Sequence, residues 1–474
     1  MARIDVTQSP YSADPTGATD ATAAIQSALD ACAVVSANPG NAAGGSVYLP
    51  AGVYKTSSAL ILHSHVKLFG DGIGTTIWQS SYLTAPATPV NAVETHWSVG
   101  GGLTVNQTAA AGALTVVTVD NPGSGFRVGD ICVLNGGTNG IIRVTGVNST
   151  GGVTSLVIIS TGTGYNNSAT NVGAAYQPST DCIIEDLLIF GYTEGYAIWA
   201  QGTTSLRCKG VWVSGYGGYV DGGGVRHAGG GAFLVDNTAD CFFEQCTSDS
   251  TFGCGFRIAG NCDQNVFHDC LAFCSGIDGS GTPIPGDIVP GFDIQNESLF
   301  TPGNVNTLDY VMQNCLANYA KGVGFRINNN YGTFDNCIAE HGNTHGFLVG
   351  DANSVSDVSL KGCRARSNSE SAASTCDGFH IVQATRPRLH DCQASGGGHQ
   401  YGLNLGAGVS NAEVFGGHFE NAAGESASVF DSSVNAFKIG AEFPAVAVAT
   451  PITPTGNYNN PYLNSAVVQA ANND

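Results

Sequence analysis

Methionine is nearly missing from this sequence, with two residues in 474, and charged residues make up only 11%. Exposed helices are built largely from Lys, Glu, Arg and Met, so the shortage points away from a helical protein and towards strands and tight turns. Basic residues are scarcer still. Seventeen Lys and Arg stand against 37 Asp and Glu, for a formal charge of −20, and no basic cluster occurs anywhere. Without a cationic patch, nucleic acid is not an expected partner. No run is long and apolar enough to span a bilayer, and the opening MARIDVTQSPYSADP lacks the basic and apolar regions of a secretory leader. Synthesis in the cytoplasm with no membrane insertion is the expectation.

What is present is glycine (65 residues), a hydrophobic content of 42%, and 15 cysteines. An odd cysteine count spread over a long, core-rich chain fits free, buried thiols better than a disulfide framework. Aligned on cysteine, FEQCTSD, FHDCLAF, VMQNCLAN, TFDNCIAE, SLKGCRAR and LHDCQAS share one pattern: an apolar residue, a turn-forming residue, then Cys. These are Cys246, Cys270, Cys315, Cys337, Cys363 and Cys392, with shorter gaps of 24, 22, 26 and 29 residues, and Cys208 is placed as the opening member. Such a period is that of a solenoid.

Each repeat carries a second signature, GFRI at Gly255, GFDI at Gly291, GFRI at Gly324, GFLV at Gly346, GFHI at Gly378 and GLNL at Gly402. Alternation with period two turns Phe and Ile inward and the residue between them outward. Asp269, Asn314, Asn336 and Asp391, each just before its Cys, are residue types that tolerate a left-handed kink. The expected fold is all-β, a parallel β-helix with ladders of Cys and Phe inside. Stacked small thiols need no metal, and GDGIG at Gly70 to Gly74 lacks the spacing of a dinucleotide loop, so no metal and no cofactor are expected.

Ahead of the repeats, TDATAAIQSAL predicts a short amphipathic helix with Ala24, Ile25, Ala28 and Leu29 on one face, suited to plugging the solenoid's open end. With GGSVYLPAGVYKTSSALIL and VKLFGDGIGTTI, this stretch resembles the start of the pectate-lyase-like right-handed β-helix superfamily, and most of all its phage tailspike polysaccharide depolymerases. The resemblance implies carbohydrate handling on a virion tail, or alternatively in a secreted protein. Residues 96–178 break the rhythm with two β-hairpin units and read as an inserted β-domain. The expected organisation is therefore 1–95, cap and first rungs; 96–178, insertion; 179–443, main β-helix; 444–474, an extended tail. Homotrimerisation and contact with other tail proteins go with that resemblance and with the apolar tail segment PAVAVA.

Carbohydrate sites on such a scaffold are expected on outward strand residues and neighbouring loops. The outward positions of the Gly-Phe-x-Ile strands are Arg257, Asp293, Arg326, Leu348, His380 and Asn404. Two long loops add candidates: one holds Asp221, Arg226 and His227, the other Asp278 and Asp287. Glycoside hydrolysis needs two carboxyl groups, one as acid and one as base or nucleophile. Asp293 and Glu340, two rungs apart, are the leading pair, with Asp278, Asp287 or Asp249 as replacements. Arg257, Arg326, His341 and His380 are candidate substrate-binding residues, and Trp199 is the preferred sugar platform. The leading reading is hydrolysis of a bacterial surface polysaccharide. A polysaccharide lyase and a non-catalytic glycan-binding or appendage protein are the alternatives.

Overall fold

A computed structural model describes residues 3–36, 45–79, 90–95, 101–126, 130–177, 179–220, 226–260, 262–276, 289–296, 308–368, 376–396, 398–420, 429–431, 433 and 437–439. The tail at 444–474, and Asp221, Asp278 and Asp287, lie outside them. The chain divides into two compact units, one of residues 1–80, 91–189 and 198–211, the other of residues 81–90, 190–197 and 212–474.

The second unit is built from rungs of three short parallel strands. Gly332–Asp335, Ile338–Glu340 and Phe347–Val349 make one such rung, and each strand pairs in register with its counterparts before and after it. The turn-formers before each Cys adopt the left-handed conformation, with φ of 53° at Asp269, 54° at Asn314, 53° at Asn336 and 51° at Asp391. A second left-handed corner follows the Cys-x-Ala strand and includes Tyr319 and His341, both at 55°. Backbone bonds such as Asn314 N to Asp335 O (2.9 Å) and Tyr319 N to Glu340 O (3.1 Å) stack each corner on the next. The positive φ that would be strain in a lone residue is thus held by the neighbouring rungs.

Ladders of like side chains fill the interior. Phe233, Phe256, Phe292, Phe325, Phe347 and Phe379 stack with ring centroids 4.5 to 4.9 Å apart and planes within 8°. That spacing is the strand separation itself, so each ring covers its neighbour's face. Cys246, Cys270, Cys315, Cys337, Cys363 and Cys392 are buried and free. Cys315 Sγ donates to Phe267 O of the preceding rung at 3.5 Å, Cys337 to Met312 O at 3.3 Å and Cys363 to Phe334 O at 3.5 Å. A thiol satisfies a carbonyl there while filling the volume of a small apolar residue, which accounts for its recurrence. Cys208 does not open this ladder: it lies within the strand Arg207–Lys209 opposite Ile184, and Val211 occupies the corner position before Trp212.

The two sequence signatures also explain each other. A Cβ built on Gly255, Gly291, Gly324, Gly346 or Gly378 would stand 2.5 to 2.9 Å from the Cβ of Ala272, Ala317, Ala339, Ala365 or Ala394 respectively. The Gly column and the Ala column are pressed together across the interior, and neither tolerates a larger side chain.

In the first unit the helix Thr22–Ser36 buries Ile25, Ala28, Leu29 and Cys32. Asp20 starts it by accepting from Thr22 N at 2.9 Å. Ala24, expected on the buried face, is half-buried, and Ala21 takes its place. Gln26 covers the edge strand Leu60–Leu62, donating to Ile61 O (3.1 Å) and accepting from Ile61 N (2.8 Å). Residues between Gly101 and Gln177 form a separate six-stranded antiparallel sheet, with Leu103, Val105, Phe126, Ile142 and Val144 in its own core. Asp30 on the helix accepts from His63 (2.8 Å) and from Arg143 of that sheet.

Candidate functional site

The outward residues of the Gly-Phe-x-Ile strands stand in one column in the expected order. Arg257 faces Asp293, Asp293 faces Arg326, Arg326 faces Leu348, Leu348 faces His380, and His380 faces Asn404. Asp293 does lie between two arginines, but they do not share it. Arg257 Nε is 3.7 Å from Asp293 Oδ2, and Gln295 donates to Asp293 Oδ1. Arg326 turns away to Asp351, with Nε at 3.0 Å and Nη2 at 2.8 Å from Oδ2. Asn328 adds a bond to the other Asp351 oxygen at 2.8 Å. Burial raises the Asp351 pKa, but the Arg326 and Asn328 bonds outweigh it and hold the carboxyl below the usual carboxylate range.

Two rungs beyond Arg326 lies a second cluster. Asp377, 2% exposed, stands with Oδ2 2.9 Å from His380 Nδ1 and 3.8 Å from His345 Nδ1. Asn404 Nδ2 donates to the same oxygen at 2.9 Å and Tyr401 N to Oδ1 at 3.0 Å. The His345 and His380 rings meet edge to face with centroids 4.7 Å apart. Burial, with His380 beside it, pulls the His345 pKa down to about 4 against the pull of Asp377 and Asp351. Two imidazoles and a carboxylate within 4.8 Å of one another have the makeup of a metal-ligand set. However, the Asp377 N–H donates to His345 Nδ1 at 2.9 Å and occupies that nitrogen's lone pair. Proton transfer is the chemistry that the arrangement suits better.

His345 and Asp377 carry no signal of their own in the sequence. Each immediately precedes the Gly of a Gly-Phe-x-Ile strand, so both belong to one column at the strand's start, along with Tyr401. That column could have been aligned from the repeat, and it turns polar only at these last positions. Asp351, just past Gly350 at φ 72°, leaves the strand pattern and could not.

Glu340 stands apart from Asp293. It ends the strand Ile338–Glu340 on the other sheet, accepts from Asn318 at 3.4 Å and lies 4.0 Å from Arg366. The two-rung spacing therefore does not set the distance between this pair, because they project from different faces. Asp249 does share Glu340's column, through Phe273 and Asn318, three rungs lower, and is half-buried. His341 begins the corner after Glu340, its ring stacked on Tyr319 at 4.9 Å. Trp199 lies in the first unit, half-buried opposite Glu94. Of the aromatics near it in sequence, Tyr196 and Tyr216 are core and Trp212 is exposed.

Residues 6–210 match the family described as Rhamnogalacturonase A/epimerase, pectate lyase-like. No curated protein sequence matches the chain. Among solved structures, the A-module of the Azotobacter vinelandii mannuronan C-5 epimerase AlgE6 is 14% identical and aligns over 92% of this chain and 98% of its own, with a TM-score of 0.53. The tailspike of E. coli bacteriophage HK620, solved with a pentasaccharide, is 11% identical over 93% of this chain and 65% of its own, at 0.48. The Dettilon tailspike is 11% identical over 95% and 69%, at 0.46. The parallel rungs, the stacked interior and the family match over the amino-terminal part agree. The chain has a right-handed parallel β-helix fold, and over residues 6–210 it is similar to the pectate-lyase-like family.

Proposed function

We propose that the chain acts on an acidic polysaccharide, held along the outward face of the Gly-Phe-x-Ile strands, and that His380 is the base that removes a proton next to a uronate carboxyl group. The supporting observation is the His380 and Asp377 pair. A buried carboxylate 2.9 Å from Nδ1, at ion-pair distance but not aligned as a hydrogen bond, favours the ring proton on that nitrogen by its charge and leaves Nε2 as the basic atom. Nε2 of His380 has no partner among the described residues. Proton loss from C5 of a uronate places an electron pair on the adjacent carboxyl group. Loss of the C4 oxygen then gives an unsaturated product, and return of a proton to the opposite face gives the epimer. The A. vinelandii neighbour is by name a C-5 epimerase, so mannuronan is the first substrate to test.

Hydrolysis is a second reading, favoured by the outward Asp293 held by Gln295 and Arg257. It needs a carboxylic acid that stays protonated, and Asp351 is held the other way. Asp278 and Asp287 would have to supply it. The place proposed for the protein is a phage tail, as a homotrimer presenting this face to a bacterial surface polysaccharide, and light scattering that gives a monomer at micromolar concentration refutes the trimer.

The test is incubation with capsules, lipopolysaccharides and uronate polymers. Ultraviolet absorbance of unsaturated products reports elimination, deuterium uptake from D2O with no chain scission reports epimerisation, and new reducing ends without absorbance report hydrolysis. Unchanged polymer in every case leaves adhesion as the function.

A further inference from the structure

We propose that His345 is a second working residue of the site, a neutral imidazole locked as the Nε2–H tautomer, which donates a hydrogen bond to the substrate's acidic group beside the basic Nε2 of His380. This deepens the proton-abstraction reading and rests on it for the nature of the substrate.

The lock is geometric. The backbone N–H of Asp377 donates to His345 Nδ1 at 2.9 Å, and a nitrogen that accepts this bond cannot carry the ring proton. The proton is therefore on Nε2, for which no described residue is an acceptor. The neighbouring ring is set the opposite way. Asp377 Oδ2 lies 2.9 Å from His380 Nδ1, close enough for its negative charge to favour the ring proton on that nitrogen although the two are not aligned as a hydrogen bond, and His380 Nε2 is left bare. One buried aspartate acts on both rings, on His345 by a main-chain hydrogen bond that locks its tautomer and on His380 by the charge of its side chain. The result is a donor and an acceptor on two rings 4.7 Å apart.

A neutral donor has a specific use. When His380 takes the C5 proton, the electron pair moves into the uronate carboxyl group, and the oxygen that gains charge needs a hydrogen-bond donor that does not itself give up a proton. A cationic His345 would instead add charge beside His380. The groups facing His345 are Asp377, His380, Asp351 and His399; burial, with His380 and His399, keeps it uncharged down to about pH 4 against the opposing pull of Asp377 and Asp351.

The test has two independent arms on the full chain. In 15N-histidine-labelled protein, assigned by comparison with His345→Gln, long-range 1H–15N correlation should show the Nε2–H pattern for His345, unchanged from about pH 8 to about pH 5. An Nδ1–H pattern, or titration near the ordinary imidazole value, overturns the lock. On whichever polymer the wild type converts, His345→Phe should lower kcat by about 100- to 1,000-fold with KM nearly unchanged. His345→Gln, which keeps an N–H near the Nε2 position, should recover at least about tenfold of that loss. A kcat within threefold of wild type in His345→Phe, or equal loss in both variants, overturns the catalytic role. A wild type inert on every polymer overturns the proton-abstraction reading and the catalytic role with it, while the spectroscopic arm still decides the tautomer.

Discussion

Replacing Gly324 with Ala isolates the contact that joins the two repeat signatures. Gly324 is not in the left-handed region, so the added methyl brings no backbone penalty and the whole cost is steric. The new Cβ would lie 2.5 Å from Ala339 Cβ and 2.7 Å from Gly346 O. Carbon atoms pack best at about 3.5–4.0 Å, so the overlap is about 1 Å in an interior without slack. Relief by sliding the strand is blocked, because Gly324 N bonds His345 O at 3.1 Å and Phe325 N bonds Gly346 O at 2.9 Å. Overpacking of this kind costs about 1–3 kcal/mol, and the fixed backbone places this case at the upper end. Ala339→Gly alone should cost about 1–2 kcal/mol through the lost methyl and the added chain freedom. In the double variant the methyl of one replaces the methyl of the other. Urea unfolding of all four proteins should then show the double variant about 1–2 kcal/mol more stable than the two single losses added together. Additive losses would falsify the idea that the Gly and Ala columns are complementary.

Three further outcomes are expected. Cys337→Asp should unfold its rungs, because a carboxylate there is buried with only carbonyls nearby, whereas Cys337→Ala should cost about 1 kcal/mol; a soluble, wild-type-like Cys337→Asp refutes the interior placement. His345 has a folded pKa of about 4 against an ordinary 6.5, so the unfolded chain protonates first: its contribution is intact above about pH 6.5 and is lost as pH falls towards 4, at most about 3 kcal/mol in all. Thermal melts should therefore drop over that window less steeply in His345→Gln, and identical slopes refute the assignment. Asp293→Asn should lower stability modestly and spare turnover if Asp293 is only a partner of Arg257. A fall of orders of magnitude at unchanged stability would restore the carboxylate mechanism, and Glu340→Gln serves as the control from the other sheet.

Most of the scaffold was legible because stacking makes the same local demand on every rung. Asp269, Asn314, Asn336 and Asp391 announced their left-handed corners through residue type, and Phe-x-Ile announced inward and outward faces through alternation. Cys208 misled because a cysteine in the middle of a strand is also buried, and composition alone does not separate it from one at a corner. Asp293 and Glu340 looked like a pair because counting rungs measures distance along the stack and says nothing of which face a residue leaves from. His345 and Asp377 escaped notice because the repeat signature begins at the Gly, although the strand bonds already hold the position before it in register.

The stacked phenylalanines make the protein a ruler. Ring spacings of 4.5 to 4.9 Å recur without drift from Phe233 to Phe379, so distance along the face comes in whole divisions, one per rung. Arg326 and His380 are two divisions apart, roughly 10 Å, with the side chain of Leu348 between them. A point substitution can change what stands at a mark but cannot move the mark. To bring a charge one step nearer the histidines, the chain must gain or lose an entire turn of two dozen or so residues. Sequence change here should therefore come in two sizes, single residues that retune the surface and whole coils that reset its scale, with little between them.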